Sequence, residues 1–302
     1  MKKLAMLTTV FFLFFACATE RNDTNAFVDP GCETQSEDQN PERLPWTLVV
    51  IPDTQHYTAN WGKAPYERMD ESFKWIAENV GRLNIKMVQG LGDITENWSN
   101  GSQWARGKRA WEHLRGKVLY MPVAGNHDSL DSFNQHFPLH DFDGLPWFGG
   151  NHNGTENIFF NMDLGGVDYL FLQLQSFDPY SDPNYGSLNW AKEILLSYPD
   201  HKVILATHDI WSSSIIREQL LRHHENIVLS NGGHSCVREA YYKENNSHSF
   251  VVDYQCDSNE VFFLRYYTFY PEENKVRYYT YSPVLNQYET DAESQGEFSL
   301  QQ

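Results

Sequence analysis

Positive charge is scarce in this sequence: 23 Lys and Arg residues stand against 40 Asp and Glu residues, and the formal net charge is −17 at pH 7. An acidic surface of this kind argues against broad binding of duplex DNA or of an anionic membrane. It leaves a small anionic substrate possible, because a bound metal ion can reverse the electrostatic field locally.

The sequence also lacks internal repeats. Its 41% of hydrophobic residues make disorder unlikely over most of the chain.

The chain also lacks an apolar run of comfortable length for a bilayer span, which needs about 20 residues. The apolar stretch 4–16 follows Lys2 and Lys3 and ends before Cys17. This pattern predicts an export signal over residues 1–17. A small residue before a cysteine resembles a bacterial lipoprotein box, in which Cys17 becomes the acylated first residue; an ordinary cleaved signal peptide is the alternative. We therefore expect an exported protein, periplasmic or at the cell surface, with a lipid anchor in the bacterial outer membrane.

Cysteine is scarce as well, with three residues after Cys17. Residues 18–45 are polar and predict a flexible tether between the anchor and a folded domain at 46–302. An exported protein can keep disulfides, and Cys236 with Cys256 is the plausible pair. That pairing leaves Cys32 in the tether, although the sequence does not fix the connectivity.

From residue 46 onward, apolar runs alternate with helical patterns. The strand-like runs lie at 47–51, 85–88, 118–123, 169–174, 203–206 and 227–229. Residues 69–80 and 188–195 each show one apolar face at helical spacing, the second after Ser187 as a possible N-cap. Segments at 250–254, 261–270 and 276–281 predict an antiparallel hairpin with a neighbouring strand, whereas 129–156 is expected to be loop-rich. The alternation predicts an α/β domain.

Five polar clusters follow the apolar runs. They are Asp53-Thr54-Gln55, Gly92-Asp93-Ile94-Thr95-Glu96-Asn97, Gly125-Asn126-His127-Asp128, Thr207-His208-Asp209 and Gly232-Gly233-His234-Ser235-Cys236. Each cluster alone is weak evidence, because Gly-Asp usually marks a turn and a lone His is usually a hydrogen-bonded polar residue. Together they supply carboxylates, amides and imidazoles at strand ends, the donors that divalent metal ions prefer.

The order of these motifs, Asp-x-Gln, Gly-Asp-x₃-Asn, Gly-Asn-His-Asp, Thr-His and Gly-Gly-His, resembles the calcineurin-like metallophosphoesterase superfamily over residues 46 to about 284. The Pro-Asp-Thr-Gln stretch at 52–55 resembles a secreted bacterial branch, in which the segments 253–255 and 280–283 also recur. The resemblance implies a four-layer α/β/β/α sandwich. It also implies two divalent metal ions (Mn, Fe, Mg or Zn) at the strand ends.

Residue roles follow from the same resemblance. It implies that Asp53 and Gln55 bind the first ion, that Asp93 bridges both ions, and that the second is completed by Asn126, His208 and His234. His127 would lie beside the phosphate and assist the leaving group, and Asp128 would hold His127 in position.

Two positions depart from the family pattern, and both concern the first ion. Gln55 stands where the commoner motif has histidine, and Cys236 stands where the commoner fifth motif has a second histidine. Cys236 can be a thiolate ligand or half of a disulfide. We expect the first metal site to be the weaker one.

The resemblance and the chemistry of the donors together predict a metal-dependent phosphoesterase. It would hydrolyse phosphomonoesters or phosphodiesters of small substrates by a metal-bound hydroxide. One alternative is a nucleotide phosphodiesterase or nuclease, although a nucleic acid substrate is disfavoured by the acidic surface. The other is a non-catalytic metal-binding surface module.

Overall fold

Two seven-stranded sheets carry most of the apolar core. The computed structural model describes residues 44–177, 185–210, 214–257 and 260–300; the predicted signal, nearly all of the predicted tether, Cys17 and Cys32 lie outside these ranges. The strands are β1 Trp46–Ile51, β2 Ile85–Gly90, β3 Leu119–Met121, β4 Phe148–His152, β5 Gly154–Asp163, β6 Asp168–Gln173, β7 Lys202–Ala206, β8 Ile227–Gly232, β9 Glu239–Glu244, β10 Ser247–Val252, β11 Leu264–Tyr270, β12 Lys275–Ser282, β13 Gln287–Tyr288 and β14 Gln295–Ser299.

Both sheets are mixed. The first has the order β13-β12-β11-β1-β2-β3, with β14 paired to β12, and the second has the order β4-β5-β6-β7-β8-β10-β9. Strands β1, β2 and β3 run parallel to one another, and so do β6, β7, β8 and β10. Each sheet therefore brings several carboxyl-terminal strand ends to one edge.

Helices lie in the connections β1–β2, β2–β3, β3–β4, β6–β7 and β7–β8. They are α1 Gln55–Ala59, α2 Tyr66–Asn79, α3 Gly101–Glu112, α4 Leu130–His136, α5 Gly186–Ser197 and α6 Ser214–Ile216, with 3₁₀ turns at Leu139–Asp141 and Gln255–Asp257 and a π-helical turn at Arg217–Leu221. Within the described ranges, no helix has the length and apolar character needed to cross a membrane.

The sheets pack face to face through buried aromatic side chains. Trp46 of β1 meets Tyr169 of β6 edge to face at a centroid distance of 5.0 Å. The Tyr267 hydroxyl of β11 donates to Asn231 Oδ1 of β8 at 2.6 Å. Because burying a hydroxyl without a partner is costly, this second contact gives the Tyr267 hydroxyl an acceptor where the sheets meet.

Helices cover the outer face of each sheet. On the first sheet, Phe73 of α2 packs on Trp111 of α3 at 5.1 Å, and Trp111 reaches Tyr120 of β3 at 5.5 Å. On the second, the apolar face of α5 enters a buried cluster with Leu170 and Leu172 of β6. The resulting α/β/β/α order confirms the predicted four-layer sandwich.

Three details differ from the expectations. Helix α5 begins at Gly186 with Tyr185 as its N-cap, so Ser187 lies inside the helix. The stretch expected to be loop-rich contains β4 and the first part of β5, together with α4. Strand β10 pairs in parallel with β8 in the second sheet, whereas the β11–β12 hairpin is antiparallel in the first, as predicted.

Candidate metal centre

The carboxyl ends of five strands deliver the polar clusters to one place. Asp53 follows β1, Asp93 follows β2, Asn126 follows β3, His208 follows β7 and His234 follows β8. The turn after β3 lies so close to the Asp93 side chain that a Cβ at position 125 would overlap its carboxylate, so only glycine fits there. Glycine at this position lets the Asn126 loop approach Asp93.

The buried ring of His208 is the centre of the cluster. Its Nδ1 lies 2.7 Å from the carbonyl oxygen of Leu91, and its Nε2 lies 2.8 Å from Asn126 Oδ1 and 3.0 Å from His234 Nδ1. A ring that donates Nδ1–H to a backbone carbonyl has its Nε2 lone pair available for a metal ion.

The Asp93 carboxylate completes this group. Its Oδ1 lies 3.3 Å from His208 Nε2 and accepts a hydrogen bond from the His127 backbone N–H at 3.0 Å. Ligand atoms of Asp93, His208 and His234 all lie within 4.8 Å of one another. The structure therefore brings together the four residues predicted for the second ion, with Asn126 as the fourth.

The electrostatics favour a cation at this place. Asp53 is 1% exposed, and its Oδ1 has no hydrogen-bond partner within the described ranges, while Oδ2 accepts from the His234 backbone N–H at 2.9 Å. Burial, followed by repulsion from Asp253, raises the pKa of Asp53 well above its usual value. Burial lowers the pKa of His208, but the charges of Asp93 and Asp53 outweigh it and raise this pKa to about 10. A cation bound here would take the place of the proton that the carboxylates otherwise hold on the ring.

These donors fit a divalent metal ion. A carboxylate, an amide oxygen and two imidazoles form a mixed oxygen and nitrogen set suited to Mn, Fe or Zn. Asp53 Oδ1, which accepts no hydrogen bond within the described ranges, is available to a cation at the same place.

His127 lies beside the cluster with its ring 36% exposed. Its Nδ1 lies 2.9 Å from the Glu96 carbonyl oxygen and 3.9 Å from the Glu96 carboxylate. The carbonyl fixes Nδ1 as a donor, so Nε2 is the nitrogen that can exchange a proton with a bound substrate.

Within the described ranges, the Asp128 carboxylate accepts hydrogen bonds from the two loops beside the cluster and none from the His127 ring, so any hold on that ring is indirect. Its Oδ1 accepts from the backbone N–H and the hydroxyl of Thr95, each at 2.9 Å. Its Oδ2 accepts from the backbone N–H groups of Ile94 at 2.9 Å and Gly125 at 3.1 Å. Asp128 thus joins the loop after β2 to the loop after β3, and the ring is oriented by Glu96 instead.

Gln55 is buried, and its amide lies between two carboxylates and Gln255. In the amide orientation that satisfies its neighbours, Nε2 lies 3.3 Å from Asp93 Oδ2 and 3.2 Å from Glu96 Oε2, and Oε1 lies 3.1 Å from Gln255 Nε2. In the opposite orientation the amide oxygen faces the two carboxylates, and a cation between these oxygens would satisfy it.

Cys236 forms a disulfide with Cys256. This pairing decides between the two alternatives left open by the sequence, because a disulfide sulfur is not a thiolate ligand. The Cys236 backbone N–H donates to Asp253 Oδ2 at 2.8 Å. Of the two positions that depart from the expected motifs, Cys236 is therefore engaged within the protein.

Three residues of the site had no role assigned from the sequence: Glu96, Asp253 and Gln255. For Asp253 and Gln255, the available signal is the expected resemblance of the segment 253–255 to a bacterial branch. The contact of this segment with Gln55 joins residues 200 positions apart, and no local pattern in the sequence encodes it.

Comparison with known proteins supports the fold. No family model matches the chain. The uncharacterized protein YvnB of Bacillus subtilis (strain 168) is 27% identical over 290 residues, which cover 86% of this chain and only 22% of that relative.

Two solved structures are similar over most of the chain. One, described as GAP50, the anchor in the inner membrane complex of Plasmodium, has a TM-score of 0.59 at 10% identity over 85% of this chain and 90% of its own. The other, purple acid phosphatase PPD1 from yellow lupin (Lupinus luteus) seeds, has a TM-score of 0.54 at 14% identity over 86% of this chain and 55% of its own. The chain has the fold of the calcineurin-like metallophosphoesterases.

Proposed function

We propose that the chain is a metal-dependent phosphoesterase that hydrolyses small phosphomonoesters or phosphodiesters. The observation that carries this proposal is the convergence of Asp93, Asn126, His208 and His234 on one place, with the exposed ring of His127 beside it. A metal site alone would need no such ring, because His127 contributes only its backbone N–H to Asp93.

The divalent ion would be held by Asp93, Asn126, His208 and His234. When bound, it would supply Lewis-acid activation of water and neutralise charge that develops on the phosphate. The ring of His127 protonates the leaving oxygen through Nε2, and the nearby Glu96 carboxylate complements the positive charge of the protonated ring.

Asp128 positions these groups. By holding the loops after β2 and β3 together, it keeps the His127 backbone N–H on Asp93 and the ring near the cluster. A well-placed general acid contributes roughly 10²–10⁴-fold to the rate, and that contribution depends on the distance being maintained.

The substrate class follows from charge. A chain with a net charge of −17 repels a long polyanion more than a small ester, so nucleotides and other small phosphoesters are favoured over nucleic acids.

The proposal includes a location. The sequence of residues 1–17 supports export and a lipid anchor at Cys17 in a bacterial outer membrane.

A second candidate is a metal-binding surface module without catalysis. It is favoured by the disulfide at Cys236, and by the likeness in fold to GAP50, which is described as an anchor. The retained ring of His127 and its support by Glu96 favour the enzyme.

Turnover of model esters tests the two candidates. The purified protein, stripped of metal with EDTA and reloaded with Mn²⁺, is assayed on p-nitrophenyl phosphate, on bis(p-nitrophenyl) phosphate and on nucleotides. We expect hydrolysis with Mn²⁺ and none with EDTA, and a preference for the bis ester would indicate a diesterase. Metal binding without turnover of any of these esters would favour the surface module.

A further inference from the structure

The loop after β8 holds His234 in a backbone conformation that side chains rarely adopt. The φ angle is 73° at His234 and 48° at Cys236, so two residues of this short loop lie in the left-handed region. Residues other than glycine persist in that region only where the surrounding structure holds them. The position of this metal ligand therefore depends on the contacts of the loop.

Buried aspartates hold the backbone of the loop, whereas the His234 side chain is exposed. Asp53 Oδ2 accepts a hydrogen bond from the His234 N–H at 2.9 Å. Asp253 Oδ2 accepts one from the Cys236 N–H at 2.8 Å. The loop is thus attached to the protein on both sides of Ser235.

A covalent bond reinforces the attachment at Cys236. This residue is joined by a disulfide to Cys256, in the segment after β10 that also contains Asp253. Within that segment, the Gln255 backbone N–H donates to Asp253 Oδ1 at 3.3 Å. The segment 253–256 therefore holds the loop twice, through a hydrogen bond and through the disulfide.

The disulfide is the exposed part of this attachment. Cys236 and Cys256 are both exposed, while Asp253 and Gln255 are buried. Exposed disulfides are more easily reduced than buried structural ones, and they include the bridges that regulate proteins. A dithiol in solution can therefore reach this bridge without opening the core.

We propose that the Cys236–Cys256 disulfide is a site of thiol–disulfide exchange that controls the metal affinity of the centre through His234. With the bridge intact, the loop presents the imidazole to the cluster and the ion binds tightly. With the bridge reduced, only the hydrogen bond to Asp253 remains of the two attachments to segment 253–256. The left-handed residues then relax, and the ligand spends less time in place. The inference rests on the metal centre of the proposed function, but not on its hydrolytic activity.

The exchange consumes a dithiol as its reductant. A thiolate of the dithiol attacks one sulfur of the bridge, a mixed disulfide forms, and the S–S bond breaks with its electron pair leaving on the other cysteine sulfur. The second thiol of the reductant then displaces the remaining cysteine. The bridge gains two electrons and two protons in total, and the dithiol becomes a cyclic disulfide.

Calorimetric titration with Mn²⁺ in both redox states tests the inference. The unmodified protein is titrated as purified, after reduction with dithiothreitol and anaerobic desalting, and again after reoxidation. Alkylation with mass spectrometry identifies the reduced cysteines, and circular dichroism verifies the fold. We expect reduction to weaken Mn²⁺ binding by about 10–100-fold, the usual effect of removing a group that supports a metal ligand, and reoxidation to restore it.

Two variants separate this bridge from other thiols. The double variant Cys236→Ser/Cys256→Ser should bind Mn²⁺ as weakly as the reduced protein, and dithiothreitol should not change its affinity. Cys32→Ser removes a cysteine that lies outside the described ranges, and this variant should respond to dithiothreitol as the unmodified protein does.

The outcomes separate the inference from the proposed function. Equal Mn²⁺ affinity in the bridged and reduced proteins, or a bridge that dithiothreitol does not reduce, would overturn the inference. Unfolding of the reduced protein would also overturn it, because the bridge would then hold the whole fold. Redox-dependent binding without turnover of any ester would support the inference while overturning the phosphoesterase. No Mn²⁺ binding in either redox state would overturn both.

Discussion

The His127 ring is the residue on which turnover depends most directly. It is anchored at Nδ1 by the Glu96 carbonyl, and it contributes no ring atom to the metal cluster. His127→Asn should therefore lower kcat by about 10²–10⁴-fold while leaving Mn²⁺ affinity unchanged. Steady-state kinetics and calorimetry on the same preparation measure the two effects.

His140→Asn is the control for this substitution, because His140 is 79% exposed and outside the cluster. Its kinetics should match those of the unmodified protein. Equal kcat values for the His127 and His140 variants would remove His127 from the mechanism.

Asp128 is the second residue with a measurable role. Asp128→Ala would remove the acceptor for three backbone N–H groups and one hydroxyl in a buried loop pair. We expect a loss of about 3 kcal/mol or more in the free energy of unfolding, measured by urea denaturation in EDTA. Asp143→Ala changes an exposed aspartate and should cost less than about 0.5 kcal/mol. A similar small loss for Asp128→Ala would show that the loops hold together without it.

Candidate metal-binding residues could be predicted from the sequence where they directly follow a strand. Asp93, Asn126 and His208 each come within a few residues of an apolar run, so the sequence was sufficient to find them. The roles of Gln55 and Asp128 could not be predicted in the same way. Whether an amide offers its oxygen or its nitrogen depends on partners such as Gln255, which only the folded chain brings near.

At the scale of whole elements, buried strands were easier to predict than strands at a sheet edge. The run at 47–51 became β1, which is buried along its length. Strand β4 was missed because Gly149 and Gly150 make its sequence typical of a loop. The structure explains the first glycine: a Cβ at 149 would overlap the ring of Phe159 on the paired strand β5. The glycine is therefore a packing requirement within a sheet.

The disulfide also acts at this scale, because it joins the segments that follow β8 and β10 across a sequence separation of 20 residues. Closing a loop of that length stabilises a protein by about 3 kcal/mol. Cys236→Ser and Cys256→Ser should each lower the free energy of unfolding by about this amount, as measured by urea denaturation.

Mn²⁺ affinity distinguishes a structural cysteine from a ligand. If the disulfide is purely structural, the two serine variants should show the same Mn²⁺ affinity by calorimetry. Loss of binding in Cys236→Ser but not in Cys256→Ser would instead indicate a sulfur ligand.

At the scale of the whole molecule, pH changes the stability of the fold through buried titratable groups as well as through the net charge. Burial, followed by the charge of Lys243, lowers the pKa of His248 from 6.5 to about 4. The unfolded chain then binds a proton at higher pH than the folded chain, so this group removes stability as the pH falls from about 6.5 toward 4. The His248 ring stacks on Phe298 at 4.0 Å.

His248→Phe keeps an aromatic ring against Phe298 and removes the titration. We expect its urea midpoint to fall less steeply than that of the unmodified protein between pH 6.5 and 4. His223→Phe, at an exposed histidine, is the control. Parallel pH profiles for the His248 variant and the unmodified protein would contradict the assigned effect of burial.

The central claim is that ester hydrolysis requires the metal ion held at the strand ends, and His208 is the residue that tests it most directly. Its buried Nε2 is the shared point of the cluster. Hydrolysis of bis(p-nitrophenyl) phosphate and p-nitrophenyl phosphate is measured with Mn²⁺ for the unmodified protein and for His208→Ala, with folding verified by circular dichroism. The account predicts turnover by the unmodified protein and its loss, together with the loss of Mn²⁺ binding, in His208→Ala. Equal turnover by the two proteins, or no turnover by a Mn²⁺-loaded unmodified protein, would contradict it.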